Sequence, residues 1–203
     1  MADIRADTRA DTVQARSALA HIGGSASIER DGVRLVEHEN GGKVILRGDP
    51  ENSAFLAAVR VAVEIDLPQA PNTSSETPPL SALWLGPDEW MLTCAGGSET
   101  DVAESLSAAL ADHHAAVIDV TDSRTVLRLS GSGARELLAK GCALDLHQRG
   151  FALGDVAQTM LAKAAVILHQ TIDDAEETGP VFDIYVPRSF SDYLWSWLAD
   201  AIS

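Results

Sequence analysis

The stretch AQTMLAKAAVILH at residues 157–169 decides the fold class. It contains two runs typical of short strands, residues 157–161 and 165–169, separated by a short turn. A connection this short joins antiparallel neighbours, because parallel strands need a crossover of about a dozen residues or more. The same arrangement recurs at residues 80–94, where a Gly-Pro-Asp turn at residues 86–88 divides two apolar runs. The sequence therefore predicts hairpins within an antiparallel sheet.

Segments of helical character alternate with these strands. The predicted helices cover about residues 51–63, 99–112, 133–140 and 189–202, and the other predicted strands cover residues 33–37, 43–47, 116–120, 126–129 and 182–186. We expect the strands at 33–37 and 43–47 to form a hairpin through a turn at Asn40-Gly41-Gly42. Asp49 and Pro50 are expected to begin the first helix. Helices that return along one face of antiparallel sheets define an α+β fold.

The chain divides into an arm and a body. Residues 1–25 alternate Asp and Arg and predict a mobile N-terminal arm. Residues 26–203 predict a single α+β domain, either undivided or split into two lobes. Four prolines make residues 66–79 a loop within it.

Composition excludes several classes of function. A net charge of −15 disfavours nucleic acid and anionic membrane surfaces as partners, since both bind basic patches. The sequence shows neither an export signal nor a run of about 20 apolar residues, so we expect a cytoplasmic protein. The two cysteines, Cys94 and Cys142, lie in apolar surroundings and favour two buried thiols over a disulfide.

Three polar patterns are candidates for a site. The run at residues 119–124, Asp-Val-Thr-Asp-Ser-Arg, is compatible with an acid/base site but fits a polar turn better. Histidines at residues 113–114 favour a helix end over a metal site, because adjacent helical residues point apart. Gly131 and Gly133 predict a tight strand-to-helix turn and not a dinucleotide loop, since Glu136 stands where a third glycine is needed.

The C-terminal segment is unusually rich in aromatic residues. A helical seam there carries Phe190, Tyr193, Leu194, Trp197 and Leu198, which predicts a face turned toward the core. Trp195 falls off that seam. If Trp195 is exposed, it marks a docking surface, since aromatic residues dominate binding interfaces.

Five blocks of sequence resemble the gamma subunit of heterotetrameric sarcosine oxidase. They are LGPDEWML at residues 85–92, DVTDSRTVLRLSG at 119–131, LAKGCALDLH at 138–147, QTMLAKA at 158–164 and RSFSDYLW at 188–195. The resemblance extends over residues 80–203. It implies a fold like that of the folate-binding domain of glycine-cleavage aminomethyltransferase.

The resemblance also implies a place in a complex. A gamma chain would assemble with alpha, beta and delta subunits that oxidise N-methyl amines such as sarcosine. FAD, FMN, NAD, tetrahydrofolate and zinc would belong to those other subunits, and this chain would hold none. In aminomethyltransferases the hairpin equivalent to residues 161–169 carries a glycine-rich turn and paired acids, whereas here it has no carboxylate. We therefore expect a chain without catalysis of its own.

Partner contacts are expected at seven residues. These are Arg124, Arg128, His169, Arg188, Phe190, Tyr193 and Trp195. Two alternatives remain open. One is a gamma-like subunit of a related dehydrogenase acting on methylglutamate or dimethylglycine. The other is a free-standing, folate-dependent transferase like aminomethyltransferase.

Overall fold

The computed structural model of the chain describes residues 16–22, 27–38, 41–173 and 179–203. In chain order, the strands and α-helices of these residues are β1 (Ser27–Arg30), β2 (Val33–His38), β3 (Gly42–Arg47), α1 (Ser53–Val63), β4 (Ser74–Thr77), β5 (Leu80–Gly86), β6 (Glu89–Cys94), α2 (Glu99–Ala109), β7 (Ala116–Asp119), β8 (Arg124–Ser130), α3 (Ala134–Ala139), β9 (Val156–Leu161), β10 (Ala164–Ile172), β11 (Val181–Pro187) and α4 (Ser191–Ile202). Short 3₁₀ turns lie at Ala20–Ile22, Thr121–Ser123 and Arg188–Phe190.

The strands of the described residues form two antiparallel sheets. A six-stranded sheet has the order β1-β2-β8-β11-β10-β9, and a five-stranded sheet has the order β4-β5-β6-β3-β7. The β9–β10 hairpin predicted from residues 157–169 is confirmed, with Leu161 opposite Ala164. Its tight turn places Ala162 at a φ of 52°, the left-handed conformation that two-residue hairpin loops require. The β5–β6 hairpin is confirmed as well.

Each sheet carries helices on one face and turns its other face toward the second sheet. Helices α3 and α4 cover the six-stranded sheet in a core that includes Leu138 and Phe182. Helices α1 and α2 cover the five-stranded sheet in a core that includes Phe55 and Trp90. A smaller apolar core joins the sheets and consists of Leu83, Met91, Val126, Val156, Ile167 and Tyr185. The α+β prediction with helices on one face of antiparallel sheets is confirmed.

The predicted hairpin between β2 and β3 is wrong. β2 pairs with β1 and β8 in the six-stranded sheet, whereas β3 pairs with β6 and β7 in the five-stranded sheet. The chain therefore crosses between sheets at this point, and Leu35 and Val44 are buried in different cores. Asn40 of the predicted turn lies outside the described residues.

Helix α1 begins later than predicted. Asn52 is its N-cap, because its side-chain oxygen accepts from the backbone N–H groups of Ala54 and Phe55 at 3.0 and 3.2 Å. Asp49 instead accepts from the backbone N–H of Glu51 in the preceding turn.

Two further segments depart from the predictions. The proline-rich loop at residues 66–79 contains the edge strand β4, which pairs with β5 and fits between the prolines. Residues 16–22, assigned to the mobile arm, pack against the domain through the buried Leu19. Residues 1–15 and 23–25 of that arm lie outside the described residues.

Two smaller predictions concern thiols and membranes. Cys94 and Cys142 are free and buried, as expected. None of the helices in the described residues has both the length and the apolar character needed to cross a bilayer.

Candidate functional site

A polar cleft of about 340 Å³ opens between the two sheets beside their shared apolar core. Strands β8, β10 and β11 supply its floor, and β3, β4, β5 and β6 supply its roof. Alternate residues of each strand point to the same face, so Val126 and Arg128 of β8 and Asp183 and Tyr185 of β11 all line the cleft. A larger hollow of about 660 Å³ lies near Asp49 and His113, but Arg47 there is paired with Asp88 at 2.7 Å.

Arg128 and Asp183 form a fixed ion pair on the floor. The register of β8 and β11 places them directly opposite each other. Arg128 Nε donates to Asp183 Oδ1 at 2.7 Å, and Nη2 donates to Oδ2 at 2.8 Å. The hydrogen bonds to Asp183 raise the pKa of Arg128 against the opposing effect of burial. Both oxygens of this buried carboxylate are therefore held by one guanidinium.

His169 stands beside this pair, and one of its ring nitrogens has no hydrogen-bond partner within the described ranges. β10 places it opposite Asp183, so His169, Asp183 and Arg128 form a row across three strands. His169 Nε2 lies 3.0 Å from Ser74 Oγ, and that hydroxyl donates to the Gly154 carbonyl oxygen at 2.8 Å. A hydroxyl has one proton, and that of Ser74 is donated to the Gly154 carbonyl oxygen. Ser74 Oγ therefore accepts from His169 Nε2–H, and the unprotonated nitrogen of the ring is Nδ1.

The environment keeps His169 neutral. Its side chain is buried, and its Nδ1 has no hydrogen-bond partner among the described residues. Burial, helped by the charge of Arg128 and opposed by that of Asp183, lowers the pKa of His169 to about 4. At neutral pH this imidazole is therefore an acceptor at Nδ1 and not a cation.

Glu76 and Tyr185 complete this end of the cleft. Glu76 on β4 has a side chain 44% exposed, and its Oε1 lies 3.8 Å from His169 Nε2. Burial and the neighbouring Asp183 raise the pKa of Glu76. Burial, with Asp183 adding to it, also raises the pKa of Tyr185, which is hydrogen-bonded to Thr93 and stays a phenol.

Lys43 marks the opposite end. Its buried Nζ donates to the carbonyl oxygens of Gly41 at 2.8 Å and Thr121 at 3.2 Å. Burial lowers the pKa of Lys43, while the charges of Asp122, Glu99 and Asp119 oppose that shift. Lys43 is therefore surrounded by acidic groups, whereas Glu76 and Asp183 line the other end of the cleft with Arg128.

The structure brings only two of the seven predicted contact residues into this cleft, Arg128 and His169. Arg124 lies at the far end of β8, where burial lowers its pKa. It lines a shallow hollow of about 360 Å³ with Gln158 and Met160 on the same sheet.

Three other predicted residues form a surface patch at the start of α4, which we call the aromatic patch: Arg188, Phe190 and Tyr193. The rings of Phe190, 43% exposed, and Tyr193 meet edge to face at 6.4 Å. Arg188 Nη2 donates to the backbone oxygen of Arg16 at 2.7 Å, which ties the N-terminal segment to this patch.

Trp195 corrects the prediction of a docking aromatic. It is only 5% exposed and belongs to the core under the six-stranded sheet. Helix α4 buries Ser191, Leu194, Trp195, Leu198 and Ile202, a face rotated by one residue from the predicted seam. His169 is likewise buried, so neither side chain offers surface to a protein partner in this conformation.

The remaining sequence candidates are structural. Thr121 N–H donates to Asp119 Oδ1 at 2.9 Å and Ser123 Oγ donates to the Val120 carbonyl at 2.7 Å, so residues 119–124 form the polar turn. A Cβ on Gly131 would meet a backbone oxygen at 2.0 Å, which explains the glycine in the strand-to-helix turn. Within the described residues, no cluster of His, Cys, Asp and Glu could hold a metal.

Sequence reasoning missed several residues of the cleft: Lys43, Ser74, Glu76, Asp183 and Tyr185. One signal was available. Asp183 is a carboxylate in the middle of an otherwise apolar strand, and such a residue needs a buried partner. Identifying that partner as Arg128 requires the strand register, which the sequence does not display.

Comparison with solved structures supports the predicted fold. Glycine cleavage system aminomethyltransferase T from Bartonella henselae aligns with a TM-score of 0.60 over 83% of this chain and 46% of that chain. The identity is 17%, so this likeness concerns the fold alone. It confirms the aminomethyltransferase-like fold that the sequence blocks implied.

Closer relatives show the family. The model of the family "Sarcosine oxidase, gamma subunit family" matches residues 47–203. Sarcosine oxidase subunit gamma from Corynebacterium sp. strain P-1 is 36% identical over 173 residues, covering 84% of this chain and 80% of the relative. A chain of heterotetrameric sarcosine oxidase from Corynebacterium sp. U-96, 30% identical, aligns with a TM-score of 0.79 over 93% of this chain and 94% of that chain. This chain therefore belongs to the sarcosine oxidase gamma subunit family.

Proposed function

We propose that this chain is a non-catalytic, structural subunit of a heterotetrameric sarcosine oxidase. The complex would oxidatively demethylate sarcosine to glycine, with hydrogen peroxide and either formaldehyde or methylene-tetrahydrofolate as the other products. Two findings support the assembly. A relative of nearly matched length is named a gamma subunit, and a similar chain occurs in a structure described as a heterotetramer.

The observation that carries the non-catalytic role is the bidentate Arg128–Asp183 pair. Both oxygens of this carboxylate accept from the guanidinium, so Asp183 is oriented toward Arg128 and its charge is neutralised there. Releasing them would leave the partly exposed Arg128 charge uncompensated, which costs about 2–3 kcal/mol after the effect of water is included. Beside it, Tyr185 stays protonated because its pKa is raised. The paired Arg128 and Asp183 and the protonated Tyr185 support the proposed non-catalytic role.

The cofactors follow from the same proposal. FAD, FMN, NAD, tetrahydrofolate and zinc would reside in the alpha, beta and delta subunits, and this chain would brace those subunits. The aromatic patch supports a bracing role, since exposed aromatic and Arg side chains are typical anchors of protein interfaces.

Co-expression tests this proposal. The chain alone should be colourless and inactive, whereas co-expression with its partners should give a yellow complex of fixed stoichiometry by native mass measurement. Sarcosine turnover or tightly bound flavin in the purified lone chain would contradict it.

Assaying the complex with sarcosine, methylglutamate and dimethylglycine distinguishes a sarcosine oxidase from a related dehydrogenase that acts on one of the other two substrates. Calorimetry of the lone chain with tetrahydrofolate tests the free-standing transferase, which requires a measurable heat of binding.

A further inference from the structure

The inner face of the six-stranded sheet, the face that turns toward the second sheet, carries side chains in rows that cross its strands. One row contains Arg128, and a second contains Tyr185 of the apolar core between the sheets. A third row lies two residues further along each strand. The registers of β8, β11, β10 and β9 align its four members, which we call the open row: Arg124, Pro187, Ala165 and Met160. All four line one hollow of about 360 Å³, so they form a continuous surface.

The second sheet packs over the other two rows but leaves the open row accessible. Met160 is 51% exposed and Ala165 is exposed, whereas Tyr185 in the neighbouring row is buried. Met160 belongs to β9, an edge strand of the sheet that the described residues form. Binding surfaces are enriched in Met and Arg and depleted in Lys, Glu and Asp, and the open row has this composition.

Arg124 brings to the open row a charge that the described part of the chain does not balance. Within the described ranges its guanidinium has no hydrogen-bond or ion-pair partner. The side chain is half-buried, and burial lowers the pKa of Arg124 without an acidic group acting against it. The chain has 30 acidic residues against 15 basic ones, so acids are plentiful elsewhere in it. A carboxylate within about 4–6 Å favours the charged form of a guanidinium, and the lack of one here selects an anionic occupant.

The width of the open row indicates the kind of occupant. Arg124 on β8 and Met160 on β9 stand at its two ends, because β11 and β10 lie between those strands. Three strand spacings separate them, roughly 14 Å, which an extended chain of about four residues spans. The floor between the ends consists of the small or compact side chains of Pro187 and Ala165, which leave room for such a chain. The row therefore fits an extended segment that carries a carboxylate at one end and an apolar side chain at the other.

We propose that an extended segment of a partner subunit docks on the open row, with an Asp, Glu or C-terminal carboxylate paired to Arg124 and an apolar side chain on Met160. A guanidinium can hold such a carboxylate through two parallel N–H···O bonds, which fixes the orientation of the segment. The inference rests on the proposed function, since it names the surface and the chemistry through which the chain joins its complex.

Competition during assembly tests the proposal. The partner subunits, one of them tagged, are co-expressed with equal amounts of the unmodified chain and one variant, and intact mass measurement gives the ratio of the two in the purified complex. Arg124→Met removes the charge but keeps a long side chain, and it should enter at least about tenfold less often, as for the loss of a charge-assisted hydrogen bond. Arg124→Lys keeps the charge without the planar fork and should lie between the two. Met160→Gln should enter severalfold less often, because the apolar contact is lost.

Two controls separate docking from folding. Arg149→Met makes the same chemical change at an exposed position and should enter as often as the unmodified chain. In the chain alone, Arg124→Met should leave the urea midpoint unchanged or raise it, because its guanidinium has no counter-charge to lose within the described residues. A lowered midpoint would overturn the inference, since it would mean that the chain itself satisfies Arg124.

The outcomes distinguish this inference from the proposed function. Equal entry of Arg124→Met and Arg149→Met would overturn the inference alone, because the unmodified chain would still assemble. Failure of the unmodified chain to enter any complex would refute both. Native mass measurement of the lone chain covers the remaining occupant: a dimer that Arg124→Met abolishes would assign the open row to a second copy and overturn the inference as well.

Discussion

Replacing Asp183 by Asn would leave the guanidinium of Arg128 without its counter-charge in the cleft. Removing one partner of a buried ion pair costs about 3–5 kcal/mol. Because the Arg128 side chain is 33% exposed, water compensates part of the loss, and we expect about 2–3 kcal/mol less free energy of unfolding. For a chain of this size that corresponds to a Tm lowered by roughly 4–12 °C. Urea titration followed by circular dichroism measures the loss in the free energy of unfolding.

Two comparisons make this prediction refutable. Asp88→Asn breaks the Arg47–Asp88 contact, which has a similar length of 2.7 Å but a carboxylate 53% exposed, and should cost less than about 1 kcal/mol. The double change Arg128→Met with Asp183→Leu should be within about 1 kcal/mol of the original chain, since no charge is left unpaired. A loss for Asp183→Asn no larger than that for Asp88→Asn would refute the reasoning.

Three further predictions concern stability. Gly131→Ala should lower the free energy of unfolding by more than about 3 kcal/mol, because φ is 110° and the new Cβ would lie 2.0 Å from a backbone oxygen. Its control, Gly97→Ala, has a φ of 88° but open space for the Cβ, and should cost about 1–2 kcal/mol in the same urea titration. Trp195→Ala should cost about 3–5 kcal/mol and Phe190→Ala less than about 1 kcal/mol, and equal losses would contradict the burial of α4. Acidification from pH 6.5 to 4 should lower the free energy of unfolding by roughly 2–3 kcal/mol. His169 binds a proton at its ordinary pKa in the unfolded chain but only near pH 4 in the folded chain, so protons favour the unfolded state across this range. If the free energy of unfolding of His169→Gln depends on pH just as strongly, this assignment is contradicted.

The hairpins were predictable because their pairing is local. Residues 157–169 carry both strands and their turn, so a short window of sequence specifies the contact. The strands at 33–37 and 43–47 are equally close in sequence, yet β2 pairs with β8, which begins at Arg124. Proximity in sequence favours a hairpin only when both strands bury residues in the same core, and these two strands do not.

The buried face of α4 could not be predicted from its apolar repeat alone. The predicted seam and the observed face share Leu194 and Leu198, so the repeat of apolar residues fits both. The flanking residues decide between them: Ser191 and Ile202 are buried, whereas Phe190 and Tyr193 are exposed. The small Ser191 side chain fits under the sheet where the chain leaves β11. Hydrophobicity alone predicts that Phe190 and Tyr193 are buried there instead.

The row His169–Asp183–Arg128 could not be predicted for a further reason. Its three members lie on separate strands, and they meet because two strand registers agree. A one-residue slip between β8 and β11 would turn Arg128 or Asp183 toward the helix-covered core, where an unpaired charge is prohibitively unfavourable. The Arg128–Asp183 pair therefore fixes the alignment of β8 with β11 more strictly than apolar residues would.

Stability alone does not account for that row. Apolar residues of similar volume usually fill such a position as well as a buried ion pair does, or better. Register specificity accounts for Arg128 and Asp183, which satisfy each other, but not for His169, whose Nδ1 is left without a partner among the described residues. A buried polar atom without a partner costs about 1–3 kcal/mol, so His169 is the member of the row that lowers the stability of the domain.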